Sequence, residues 1–209
     1  MDITLYAKGI LVGLAIAAPI GPINLIIVTR TLNDGRRIGW VSGAGAAVAD
    51  AFYGGIAAFG LTLISDFLLG HQVWFRILGG LALILLGARV AFKKAAEPAA
   101  DDAGAARFAH TSAFGSLFLL NLMSPMTILT WMAVIAGMGM TGLSVGGAQG
   151  PLMIILGVFS GSVIWITFLV LVAHWLLNKL HERWLFWLNV VAGLALAGFG
   201  VVALITGVA

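Results

Sequence analysis

Asp50 is the one acid placed well inside an apolar run, in the segment G-A-A-V-A-D-A-F-Y-G-G. A carboxylate at a bilayer centre costs roughly 2.5–3.5 kcal/mol on insertion scales, so such a group faces a protein interior. There it is protonated, paired, or in contact with a cationic substrate, and it becomes a candidate proton carrier. Two protein partners are available to it. Tyr53 is three residues on and shares its helix side, and Arg76 supplies the opposite charge.

Two further clusters are built around proline. Residues 17–30, A-A-P-I-G-P-I-N-L-I-I-V-T-R, are apolar yet carry Pro19, Gly21, Pro22 and Asn24. Proline has no N–H to donate, so in a continuous helix Pro22 frees the carbonyl of Ala18 and Pro19 that of Ala15. In lipid such a carbonyl must find another donor from protein, water or a ligand. The segment N-L-M-S-P-M-T repeats the arrangement: Pro125 frees Asn121, with Ser124 and Thr127 beside it. One such segment reads as a proline kink. Two at corresponding places, each next to an asparagine, favour a binding site for a small polar molecule.

Other chemistries find little support. The chain has no cysteine, hence no thiolate ligand or thiol nucleophile. His71 and His110 have no carboxylate at ligand spacing, and His174 and His181 read as interfacial residues at the end of the fifth span, so no metal site is expected. Phosphate-loop, hydrolase-elbow and zinc-protease motifs are missing, and Gly43-x-Gly45 lacks the third glycine of a dinucleotide fingerprint. The reading is therefore no enzyme, no cofactor and no nucleic-acid partner.

The elements that must position these residues are membrane spans. Of 209 residues, 61% are hydrophobic and 9% charged, with a mean hydropathy of +1.10. Soluble domains carry about a quarter charged residues. Apolar runs long enough to cross roughly 30 Å of hydrocarbon occur six times, near 9–30, 40–64, 73–92, 113–137, 151–177 and 185–207. The first could start nearer Ile3. Asp2 and Lys8 argue against its being a signal peptide. Residues 93–110 read as a charged, alanine-rich linker and 138–150 as a glycine-rich loop. One membrane domain over 1–209 is expected, with nothing soluble attached.

Alternating sides places Arg30, Arg36, Arg37, Arg89, Lys93, Lys94, Arg107, Lys179 and Arg183 on one face and only Lys8 and Arg76 on the other. The positive-inside rule makes the richer face cytoplasmic and puts both termini outside. Trp40, Trp74, Trp175, Trp184 and Trp187 sit near span ends, as an aromatic belt requires.

The chain also reads as a doubled unit. G-L-A-L-I-L-L-G at 80–87 recurs as G-L-A-L-A-G-F-G at 193–200. Gly43 and Ala47 match Gly157 and Gly161, each pair spaced for close helix contact. Pro22 matches Pro125 in the same way. Three spans per unit turn the second copy upside down: a first repeat over about 1–92, a linker at 93–110 and a second repeat over about 111–209. Broken helices at matching places in inverted halves point to a transporter site. The expected fold is all-α and integral to the membrane, with six spans, two inverted three-helix repeats and broken first and fourth helices.

P-I-G-P-I-N-L-I-I-V-T-R-T-L-N-D-G-R-R-I-G-W-V-S-G-A-G-A-A-V-A-D-A-F-Y-G at 19–54 resembles the opening half of the LysE family of bacterial exporters. N-L-M-S-P-M-T-I-L-T-W resembles the stretch around that family's fourth helix, with Ser124 where Asn is usual. The resemblance implies export of amino acids or similar small metabolites from the cytoplasm across the bacterial inner membrane, driven by the proton gradient or the membrane potential. It also implies a site where the broken first and fourth helices meet, made of Pro22, Asn24, Asp50, Asn121, Ser124, Pro125 and Thr127, with Tyr53 beside Asp50. The partners expected are an amino acid-like substrate and the lipid bilayer, and small-residue faces permit a homodimer. The alternatives are a carrier or scramblase of lipid or ions, and a scaffold that transports nothing.

Overall fold

The computed structural model describes residues 3–19, 21–59, 67, 70–92, 103–124, 127–128, 130–131, 134, 149–177 and 182–208. Pro125, the linker up to residue 102 and the loop at 138–148 lie outside them. Seven helices are seen among the described residues: α1 (Ile3–Ala17), α2 (Pro22–Asp34), α3 (Arg36–Phe59), α4 (Gln72–Ala91), α5 (Ala103–Met123), α6 (Gln149–Leu177) and α7 (Glu182–Val208).

The segment expected as the first span is two helices, meeting at a bend of 80°. Gly21 is extended and caps α2, and Pro22 is the first helical residue, where its missing N–H costs nothing. Pro22 therefore starts a helix and does not kink one, so the carbonyls left over at the break are not those a continuous helix predicts. At the far end of α2 a single residue, Gly35, turns the chain into α3 with φ +89°, a conformation that glycine adopts freely.

Within α4, α6 and α7, the stretches Val73–Ala91, Gln149–Leu176 and Trp184–Thr206 are long and apolar enough to cross a membrane, and the α1–α2 pair would make a fourth crossing. α3 and α5, expected as the second and fourth spans, fall short of that measure for different reasons. α3 is the interior helix, buried along Gly43, Ala46, Ala47, Asp50 and Gly54. A helix screened from lipid by protein is built of small and polar residues. α5 begins at Ala103, ten residues earlier than expected, because its alanine-rich start favours helix. It ends at Met123, and helical residues resume at Thr127.

α1 lies along α6, α4 along α7, and α3 against both α5 and α6, while α2 rests on α3. Glycines set these distances. Side chains at Gly157 and Gly161 would strike the backbone oxygens of Tyr6 and Ile10. The recurring octapeptides face each other: a Cβ at Gly80 would stand 2.8 Å from the Gly200 oxygen, and one at Gly87 2.6 Å from the Gly193 oxygen.

The apolar core is divided in two. One part gathers Tyr53, Ile56, Ile128, Trp131, Ile154 and Val158; the other gathers Ile27, Ala46, Leu117, Leu120, Ile166 and Val170. The buried polar residue between them is Asp50 along α3, Asn121 along α5 and Ser162 along α6.

Candidate functional site

Asp50 sits in that polar layer, 5% exposed. Asn121 Nδ2 donates to its Oδ1 at 3.0 Å, and the Ser162 hydroxyl donates to Oδ2 at 2.8 Å. Asn121 is itself fixed on both sides: its Nδ2 also donates to the Ala46 carbonyl at 2.9 Å, and its Oδ1 accepts from the Thr127 hydroxyl at 2.8 Å. Buried polar groups linked in this way hold a single arrangement, because each bond lost strands a group away from water. The interior helix, α6 and both sides of the break after α5 thus converge on one carboxyl group.

The α1–α2 break faces this network. Asn24 Nδ2 donates to the carbonyls of Ala17 and Pro19, both at 2.8 Å. These replace Ala15 and Ala18 as the carbonyls that the break exposes and a side chain repairs. The N–H groups of Ile23 and Asn24, in the first turn of α2, lie ahead of the first intrahelical bond, Leu25 N–H to the Gly21 oxygen at 3.1 Å. On the other break, the Ile128 N–H bonds to the Ser124 oxygen at 3.0 Å.

A cavity of about 80 Å³ opens between the two breaks. Its polar lining is Asn24, Asp50, Asn121, Ser124, Thr127 and Thr130; Ile16, Ile23, Ile27 and Ile166 supply apolar walls. Pro22 also lines it. Six of the residues singled out in the sequence, Pro22, Asn24, Asp50, Asn121, Ser124 and Thr127, are therefore brought to one place, and Pro125 lies outside the described residues.

Tyr53 is placed elsewhere. Its hydroxyl donates to the Leu122 carbonyl at 2.6 Å, and its ring stacks on Trp131 at 6.2 Å. It braces α3 against α5 and does not bond to Asp50. Arg76 does not reach Asp50 either; its Nη1 donates to the Thr206 carbonyl at 2.6 Å. Among the described residues no three His, Asp or Glu side chains converge as metal ligands.

Sequence reasoning singled out neither Thr130 of the cavity lining nor Ser162, and it did not foresee the bonds of Arg30. Ser162 reaches Asp50 across 112 positions of chain; its only signal was its place beside Gly161 on the α1-facing helix. Arg30, counted above as a topology signal, donates through Nη1 to the Ser42 hydroxyl at 2.9 Å and the Ala113 carbonyl at 3.0 Å. Its Nη2 donates to the Ser116 hydroxyl at 2.9 Å. One guanidinium so ties α2 to α3 and α5.

The profile of the LysE type translocator family matches residues 14–207, both breaks and the polar layer included. The chain belongs to the LysE translocator family. A relative in Bacillus subtilis (strain 168), named "Putative amino acid efflux protein YcgF", is 28% identical over 197 residues, covering 94% of this chain and 93% of its own. A second, named "Uncharacterized membrane protein YahN", from Escherichia coli (strain K12), is 40% identical over 85 residues, 38% of this chain and 37% of its own. No solved structure matches. This LysE translocator is a membrane transporter of small molecules and not an enzyme.

Proposed function

We propose that the chain exports amino acids or similar small metabolites from the cytoplasm across the bacterial inner membrane, in exchange for protons. In this reading it has six spans in two inverted units, about 1–92 and 111–209, joined by a cytoplasmic linker at 93–110, with both termini outside. The observation that carries the reading is the buried carboxyl of Asp50 in the wall of a cavity formed by two broken helices. The efflux protein to which the chain is similar along nearly its whole length supports the direction of transport.

The packing supports the inverted halves. A two-fold axis makes contacts occur in exchanged pairs: if position 80 touches the counterpart of 87, then 87 touches the counterpart of 80. With 193 and 200 as counterparts of 80 and 87, the Gly80–Gly200 and Gly87–Gly193 contacts have this form. The first span on the fifth (α1 on α6) and the fourth on the second (α5 on α3) are exchanged in the same sense.

An amino acid would place its carboxylate at the first turn of α2, where the helix dipole favours an anion. Its ammonium would meet Asp50 and carbonyls of the break. Proton uptake by Asp50 from outside would then favour return of the empty site toward the cytoplasm. The test is purified protein in proteoliposomes with Asp50→Asn, which is expected to abolish accumulation driven by a pH gradient. Exchange and pH-gradient coupling that both continue at wild-type rates would remove Asp50 from the mechanism.

A further inference from the structure

The charge inventory around the cavity says which amino acids fit. Among the described residues its lining carries one ionisable group, Asp50. The chain from 125 to 148, which continues from the second break, contains no Asp, Glu, Lys, Arg or His at all. Any charge a substrate brings must therefore be balanced by a single carboxylate and by neutral dipoles. Asp50 accepts from Asn121 on one oxygen and Ser162 on the other, and the buried indole N–H of Trp131 is directed at the same carboxyl group. With two acceptor sites on each oxygen, room is left for an ammonium group without displacing Asn121 or Ser162.

The remaining surface decides the side chain. Ile16, Ile23, Ile27 and Ile166 make apolar walls on the same cavity. A second ammonium, guanidinium or carboxylate placed against them would be desolvated without an opposite charge, an arrangement that buried sites do not tolerate.

Resting on the transport reading above, we propose that the site selects amino acids with one ammonium and one carboxylate and an apolar side chain, and discriminates against dibasic and acidic ones. Charge balance makes the selection: Asp50 takes the ammonium, the first turn of α2 takes the carboxylate, and the isoleucine walls take the side chain.

The test is counterflow in proteoliposomes carrying the full chain, with L-leucine, L-norvaline, L-lysine, L-arginine, L-glutamate and isopentylamine as probes. Leucine and norvaline are expected to half-saturate at concentrations at least about tenfold below lysine, arginine and glutamate, because an unpaired charge in the membrane interior is strongly disfavoured. Lysine or arginine exchanging as well as leucine would overturn the selection and leave amino-acid transport standing. Isopentylamine, which is leucine without its carboxylate, exchanging as well as leucine would overturn the need for a zwitterion. Exchange of none of the probes by folded protein would overturn the transport reading and this inference with it.

A second variant asks for a gain. Ile166→Asp adds an acid to the apolar wall supplied by α6, on a different helix from the first turn of α2 that takes the substrate carboxylate. It is expected to narrow the gap between leucine and lysine by about tenfold, the effect of one new charge pair in a desolvated site. An unchanged ratio in a variant that still exchanges leucine would count against charge balance as the basis of selection.

Discussion

Asn33 on α2 and Asn189 on α7 exchange their side-chain amides, each donating to the other's oxygen, at 2.7 and 2.9 Å. Asn189 is buried at 3% exposure, so removing either partner leaves the other with unsatisfied groups. Asn33→Ala and Asn189→Ala are each expected to destabilise the folded protein by about 1 kcal/mol, within the range for interhelical bonds in membranes. The double variant should cost little more than either single one. Thermal unfolding in detergent checks this, and full additivity of the two losses would mean that the pair is not coupled.

Asn24 is used as a double donor to Ala17 and Pro19. Asn24→Asp keeps the shape but turns two attractive contacts into carboxylate oxygens facing carbonyl oxygens. We expect a loss of about 2 kcal/mol or more from stranded carbonyls at membrane depth, with Asn24→Gln less harmful than Asn24→Asp. Equal stability of wild type and the Asp variant would show that the break is held by something else.

The glycines separate into two kinds. Valine at Gly161 or Gly200 would run into a neighbouring backbone, and overpacking of that kind costs about 1–3 kcal/mol. Gly115 and Gly198 have nothing within 4 Å of the position a Cβ would take. Gly115→Ala and Gly198→Ala are expected to be neutral or to stabilise by up to about 1 kcal/mol, since a mid-helix glycine is entropically unfavourable. Melting temperatures of the four variants test the contrast.

Arg30 joins α2, α3 and α5 at the face proposed to be cytoplasmic. Lysine keeps the charge and the topology signal but loses the forked donors. The chain has no cysteine, so Ser124→Cys introduces a lone reporter into the cavity wall. In Arg30→Lys the rate of labelling of that cysteine by an impermeant maleimide from the cytoplasmic side should rise about tenfold, equivalent to a shift of ~1.4 kcal/mol toward the open form. An unchanged rate would mean that these bonds do not hold the path shut.

The sequence made legible whatever depends on a residue's own chemistry. Pro19, Gly21 and Pro22 mark the break because two of them cannot donate and the third has no Cβ, and α1 and α2 part there. Asp50 is marked as interior because a lone acid in an apolar run has nowhere else to go, and it is buried. Properties that depend on a second element were hidden. Which carbonyls the break exposes depends on where Asn24 points. Ser162 reaches Asp50 only because α6 packs against α3, where Gly43 and Gly54 make room for Ile166 and Val158. Tyr53 shares a side of α3 with Asp50, yet its hydroxyl is drawn to Leu122 on the neighbouring helix. The repeated octapeptides were readable as repetition, while their packing against each other was not.

α1 and α2 form a jointed arm. α1 is packed along α6 and α2 along α3, with an 80° elbow between them, and among the described residues the side chain that bridges the elbow is that of Asn24. A lock made of backbone bonds opens only by unwinding helix; this one opens by a single rotation about a side-chain torsion. Any ligand acceptor that draws the amide away from Ala17 and Pro19 releases the elbow at the moment it is held. Occupancy of the cavity and freedom of the arm to swing are then governed by the same nitrogen atom.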